Sequence, residues 1–81
     1  MKKTINVTAE DIEQGQPCVG NLCPVALAMK RATGTYVIVS EMHAMVGRSN
    51  RRHLLPQEAI EFIENVDFFR AVQPFSFEVD L

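Results

Sequence analysis

The chain has 81 residues, of which 47% are hydrophobic, and it carries a formal net charge of −2 at pH 7. This composition excludes a disordered chain, and two cysteines are too few for a disulfide-stabilised secreted scaffold. Because no apolar run is long enough for a signal peptide or a membrane span, we expect a cytoplasmic location with reduced thiols.

The first residues predict a strand, a short helix and a loop. Residues 3–7 alternate between apolar and polar side chains, which is typical of a half-buried strand. Thr8 can cap the next helix, and Asp11 can return the hydrogen bond as a shorter version of the capping-box acid. This helix should end at Gly15, and the Pro and Gly residues of 16–21 predict a loop.

The clearest helix signal begins at Pro24. Proline suits the first helical position, where its missing N–H costs no hydrogen bond, and Gly34 suits the C-terminal end. The residues between them are good helix formers. The predicted buried face consists of Val25, Ala28, Met29 and Ala32.

Three short strands are predicted to follow this helix. Residues 35–40 are rich in β-branched side chains and apolar on both faces, which predicts a central strand. Residues 42–47 predict a second strand, 48–51 a turn and 52–55 a third strand.

The remaining residues predict a helix and a final strand. Pro56 opens the helix, which should fade between Asn65 and Arg70. Its predicted buried stripe consists of Ala59, Ile60, Ile63 and Val66. Pro74 precedes an alternating strand whose predicted inward side chains are Phe75, Phe77 and Val79.

The element order β-α-α-β-β-β-α-β, with a very short first helix, predicts an α+β fold with residues 1–81 as one domain. We expect a single sheet of four to five short strands, mostly antiparallel, with two helices on one face. A chain this short buries a small core, so pairing with a second copy would add stability.

The two cysteines allow three chemistries. Cys18 and Cys23 have a tolerable spacing for zinc, and His43 and His53 could complete a four-ligand set, although their own spacing is irregular. Cys23 also stands at a helix start, where backbone N–H groups lower a thiol pKa, and a nucleophile there would need one of the histidines as its base. The spacing is not C-x-x-C, and the favoured interpretation is that both thiols pack as small buried apolar groups.

A basic segment is the second candidate site. Arg48, Arg51, Arg52 and His53 surround the predicted turn, and guanidinium groups hold phosphates or carboxylates in a bidentate fashion. The predicted ligand is a nucleotide-like anion or an acidic surface of a protein, and the alternative is a solvated hairpin end. Residues 1–56 contain seven basic and four acidic side chains, whereas 57–81 contain one basic and six acidic side chains.

The remaining sequence features do not predict a further binding site. An acidic chain whose aromatic residues are not interleaved with its arginines is a poor candidate for nucleic-acid binding. The three-residue spacing of Glu58, Glu61 and Glu64 is typical of the solvated side of an amphipathic helix. Met29, Met42 and Met45 are predicted to fill the core.

Three motifs give the chain a resemblance to known proteins. Residues 5–12 read I-N-V-T-A-E-D-I, 23–28 read C-P-V-A-L-A, and 74–78 read P-F-S-F-E. In these motifs the chain resembles a loose group of small uncharacterised phage and bacterial proteins. The resemblance implies a small accessory protein that modulates a host pathway, and it carries no activity over.

These observations predict a non-enzymatic binding protein, with no cofactor, that acts in the cytoplasm of a bacterial host. It would bind, sequester or inhibit a host protein or a small anionic signal, with the anion held at Arg48, Arg51, Arg52 and His53. A homodimer is expected, with no nucleic-acid or membrane partner. The alternatives are a small zinc-binding or thiol-active module that uses Cys18 and Cys23, and a purely structural subunit.

Overall fold

The computed structural model describes residues 2–48 and 51–81 and confirms the α+β class. Three helices and five strands follow one another in the described part of the chain. They are β1 (Lys2–Val7), α1 (Ala9–Gln14), α2 (Pro24–Thr33), β2 (Val37–Val39), β3 (His43–Val46), β4 (His53–Leu54), α3 (Gln57–Asp67) and β5 (Phe75–Asp80). No helix in these two ranges is long and apolar enough to cross a membrane.

The strands form two antiparallel sheets, so the prediction of a single sheet is wrong. One sheet pairs β1 with β5, with Ile5 opposite Phe77, and the other has the order β2-β3-β4. The division lies between β4 and β5, which are in contact but are not paired as strands. β4 is only two residues long, and Pro56 soon afterwards has no N–H to extend a ladder.

The predicted central strand β2 lies at an edge of the three-stranded sheet. The loop before α2 covers its open side, because the Val39 N–H donates to the carbonyl oxygen of Gly20 at 2.8 Å. A Cβ at Gly20 would stand 2.8 Å from the Val39 carbonyl oxygen, so this close approach requires glycine.

Helix α1 begins as the sequence predicts. The Asp11 N–H donates to Thr8 Oγ1 at 3.2 Å, and the Thr8 N–H donates to Asp11 Oδ2 at 2.9 Å, which completes a capping box. Arg31 on α2 then donates to both carboxylate oxygens of Asp11 at 2.8 and 2.7 Å. This bidentate pair joins the two helices, and it lowers the pKa of the Asp11 carboxyl.

Helix α2 is the centre of the core. Pro24 occupies its first turn, and Gly34 ends it in the left-handed conformation with φ of 70°. Val25, Ala28 and Met29 are buried as predicted, whereas Ala32 is half-buried. The helix contacts both β1 and β2, so it packs against both sheets.

Helix α3 and β5 complete the core. The buried side chains of α3 are Ala59, Phe62, Ile63 and Val66. Ile60, which was predicted to be buried, is only partly buried, and Phe62 takes a core position that the predicted stripe does not include. On β5, Phe77 and Val79 are buried as predicted, and the half-buried Phe75 packs on Phe62 with ring centroids 4.6 Å apart.

Candidate functional site

An open cleft of about 610 Å³ lies where three segments meet. The segments are the loop before α2, the turn between β2 and β3, and the C-terminal half of α3. The lining residues are Cys18, Val19, Gly20, Cys23, Val39, Ser40, Glu41, Met42, His43, Ile63 and Asp67. Because it contains both cysteines, we call this space the thiol cleft.

Backbone hydrogen bonds shape the loop that forms one wall of the thiol cleft. The N–H groups of Leu22 and Cys23 both donate to the Val19 carbonyl oxygen, at 3.0 and 2.9 Å. The Gln16 N–H donates to the Leu22 carbonyl oxygen at 2.9 Å, which closes the loop at its base. The loop is therefore a closed turn that leads directly into α2.

Cys18 connects this loop to the end of α3. Its N–H donates to Asp67 Oδ1 at 2.9 Å, and its thiol lies 3.7 Å from the Asp67 carbonyl oxygen. The residue adopts a left-handed backbone with φ of 63°, which non-glycine residues rarely adopt. Its side chain is exposed, so the prediction that both cysteines are buried is wrong for Cys18.

Cys23 is a buried helix cap. Its side chain is 5% exposed, and its Sγ accepts a hydrogen bond from the Ala26 N–H at 3.4 Å. Burial raises the pKa of the Cys23 thiol, and this effect outweighs the backbone N–H groups that lower it. The N–H groups of the helix start do act to lower this pKa, as the sequence predicts, but burial outweighs them. The predicted packing of Cys23 as a small apolar group is confirmed.

The predicted zinc ligands lie in two places. Cys18, Cys23 and His43 line the thiol cleft, but His53 lies on β4, with Nδ1 at 3.2 Å from the Asp80 carbonyl oxygen. In residues 2–48 and 51–81, no three His, Cys, Asp or Glu side chains are close enough together to hold a metal ion. The four candidate ligands are thus not assembled into one site.

A second cleft of about 350 Å³ continues from the first along α3. We call it the acidic groove, and its lining residues are Glu41, Met42, Ile60, Ile63, Glu64, Asp67 and Phe68. Glu41, Met42, Ile63 and Asp67 line both clefts, so the two spaces are contiguous.

The acidic groove combines apolar and acidic side chains that face solvent. Met42 is 47% exposed and Phe68 is 65% exposed, so the prediction that Met42 fills the core is wrong. Neither the Glu41 nor the Glu64 carboxylate has a hydrogen-bond or ion-pair partner among residues 2–48 and 51–81. Asp67 differs, because one of its oxygens accepts from the Cys18 N–H.

The predicted basic site is only partly described. Arg48, Arg51 and Arg52 are exposed and His53 is half-buried, whereas positions 49 and 50 of the predicted turn lie outside the described residues. Arg52 lines a small cleft of about 180 Å³ on the three-stranded sheet, together with Ile38, Ser40, His43 and Met45. This small cleft shares no lining residue with the acidic groove, but it shares Ser40 and His43 with the thiol cleft.

Sequence reasoning missed the acidic groove because its walls are far apart in the chain. Glu58, Glu61 and Glu64 read as one stripe, but Glu64 lines the groove, and the other two line a different cleft near Phe75. A signal was present in the adjacent Phe68 and Phe69, since two aromatic residues just after a helix are hard to bury together.

Comparison with known proteins gives no match. No protein-family model, curated protein or solved structure matches this chain. Its function is therefore inferred from the clefts, the side chains and their charges.

Proposed function

We propose that the chain is a small accessory protein of phage or mobile-element type that acts in the cytoplasm of a bacterial host. It acts without catalysis, by binding and sequestering a host protein. The acidic groove and the adjoining thiol cleft form the binding surface. The biological setting is an expectation from the three sequence motifs alone, since no family model or curated protein matches the chain.

The observation that carries this proposal is a contiguous open surface that mixes exposed apolar groups with acidic groups. Clefts of about 610 and 350 Å³ share four lining residues, and both are within the size range of ligand sites. Exposed Met42 and Phe68 contribute apolar area that a partner would remove from water. A protein segment can cover both clefts at once.

The state of the cysteines favours binding over thiol catalysis. A nucleophilic cysteine needs a thiolate, and burial raises the pKa of Cys23. Its sulfur is already engaged with the Ala26 N–H at 3.4 Å, so its local role is to cap α2.

A small anionic signal remains the alternative ligand, with Arg48, Arg51, Arg52 and His53 as its site. The exposure of the three arginines favours it, because a multivalent anion could contact more than one guanidinium. Reversal of all three arginine charges should abolish binding of nucleoside triphosphates, as measured by calorimetry, and unchanged binding would exclude this site.

A thiol or zinc module is the second candidate function. The observation that favours it is that Cys18, Cys23 and His43 line one cleft. Within residues 2–48 and 51–81 these side chains would have to move closer together to hold a metal ion. Metal analysis of protein purified without added zinc tests it, together with Cys18→Ser. Stoichiometric zinc that is lost in the variant would support the module, and metal-free, fully functional protein would exclude it.

Co-purification from a bacterial host tests the main proposal, with Met42→Asp as the variant and Leu54→Asp as its control. Both are exposed apolar residues, at 47% and 63%, but only Met42 lines the clefts. A host protein retained by the wild type and by Leu54→Asp, but lost with Met42→Asp, supports the proposal. A partner retained equally by all three would overturn it.

We also propose that the chain is a homodimer, since a second copy would enlarge a core built from only 81 residues. Light scattering over a range of concentrations tests this directly. A mass of one chain at every concentration would exclude the homodimer and leave the binding surface unaffected.

A further inference from the structure

We infer that the acidic groove binds a basic amphipathic segment of its partner, in which apolar side chains are flanked by lysines or arginines. This inference rests on the proposed function and names the chemistry of its target. It follows from the groove's floor, its rim and the cation that already lies beside it.

The floor of the groove is apolar and therefore suits apolar side chains of a ligand. Ile60 and Ile63 of α3 form part of it, with the exposed Met42 on one side and Phe68 at the end of the helix. A flexible methionine adapts its shape to different apolar partners. A volume of about 350 Å³ accommodates a few side chains rather than a whole domain surface, so a single segment fits it best.

The rim of the groove is acidic and therefore favours a ligand with positive charge. Glu41 stands on one wall and Glu64 and Asp67 stand on the other, and within the described ranges no lysine or arginine lines this space. The Glu41 and Glu64 carboxylates have no partner among residues 2–48 and 51–81, so both are free to pair with a ligand. An anionic ligand or an anionic membrane surface would be repelled by the same groups.

Arg70 lies beside Phe68, one of the residues that line the groove. Arg70 stacks over the Phe68 ring, with its Cζ 5.3 Å from the ring centroid. Its Nη1 donates to Asn65 Oδ1 at 3.2 Å, so this arginine is held by an amide and an aromatic face rather than by Glu64. A partner arginine or lysine can therefore approach the carboxylates while Arg70 stays in place.

Calorimetry with a synthetic Leu/Lys amphipathic peptide of about five helical turns tests the inference, with a Leu/Glu peptide of equal length for comparison. We expect the Leu/Lys peptide to bind and its affinity to fall with added salt. We expect Glu64→Lys to weaken it by about tenfold or more, and Glu64→Lys combined with Glu41→Lys to weaken it further.

Glu61→Lys is the matched control, because it makes the same charge change on α3 outside the groove. It should leave the affinity within about twofold of the wild type, since only long-range attraction changes. Circular dichroism and the unfolding midpoint of each variant check that a loss of binding is not a loss of folding.

Three results would overturn the inference. The Leu/Glu peptide could bind as tightly as the Leu/Lys peptide, or Glu61→Lys could weaken binding as much as Glu64→Lys. The third is that the Leu/Lys peptide fails to bind while Glu64→Lys dissociates an oligomer, which would mean that a second copy fills the groove. Failure of the proposed function can be distinguished from these results, because a host partner would then still co-purify with the Met42→Asp variant.

Discussion

Asp11 and Glu64 are both carboxylates on helices, but the Asp11 charge is buried and paired, whereas the Glu64 charge is exposed and unpaired within the described residues. Asp11 is 4% exposed, and its carboxylate accepts one hydrogen bond from the Thr8 N–H and two from the Arg31 guanidinium. Glu64 is exposed and has no side-chain partner in the described ranges. The comparison separates a charge that stabilises the fold from one that remains available to a ligand.

The largest effect should come from Asp11→Ala. The substitution removes one half of a capping box and leaves Arg31 without its carboxylate, so we expect a loss of about 2–3 kcal/mol. Urea unfolding measures this change, with the exposed Glu13→Ala as a control that should stay within about 0.5 kcal/mol. Equal effects of the two substitutions would show that Asp11 does not have the structural role assigned to it.

The two cysteines also differ as a buried and an exposed residue, with a smaller expected effect on stability. Cys23→Ala removes a buried cap of α2 and should cost about 1 kcal/mol, whereas the exposed Cys18→Ala should cost less. The order of their unfolding midpoints in urea checks this. A larger loss for Cys18→Ala would mean that its contact with Asp67 matters more than the buried cap.

Acid should weaken the fold through Asp11. The Arg31 contact lowers the pKa of Asp11 below its ordinary value of 3.8, so the folded state binds this proton less tightly than the unfolded state. The stabilisation is therefore fully present above pH 3.8 and is lost as the pH falls through the lowered pKa. Asp11→Asn should flatten the acid side of the stability profile, and an unchanged profile would contradict this.

Glu64→Lys should have the smallest effect on stability, within about 0.5 kcal/mol of the wild type. An exposed carboxylate with no partner in the described part of the chain has no favourable contact to lose. Thermal unfolding midpoints of Glu64→Lys, Glu61→Lys and the wild type, measured under the same conditions, check this. A large loss for Glu64→Lys alone would show that its charge belongs to the fold.

The sequence predicts the local features of this fold well. Thr8 and Asp11 identify one helix start, and Pro24 and Gly34 identify both ends of another, because the bonds concerned lie within a few residues. The alternation of Phe77 and Val79 likewise indicates which face of the last strand is buried.

The long-range features are not contained in any local pattern. The bond from Cys18 to Asp67 joins residues 49 positions apart, and no spacing rule points to it. The division into two sheets depends on how a two-residue strand fits beside β5, which is decided by packing. For the same reason the acidic groove, made from the β2–β3 turn and α3, follows from no single local pattern, although the adjacent Phe68 and Phe69 indicate exposed apolar surface at the end of α3.

Alkylation of Cys18 tests the central claim most directly, because this exposed thiol lies in the cleft that adjoins the acidic groove. Buried Cys23 serves as an internal reference that should not react until the chain unfolds. A Leu/Lys peptide at a concentration near its dissociation constant for the wild type should slow alkylation of Cys18 in the wild type and in Glu61→Lys, and should slow it much less in Glu64→Lys. An alkylation rate that is unchanged by the peptide in the wild type would contradict binding at this surface.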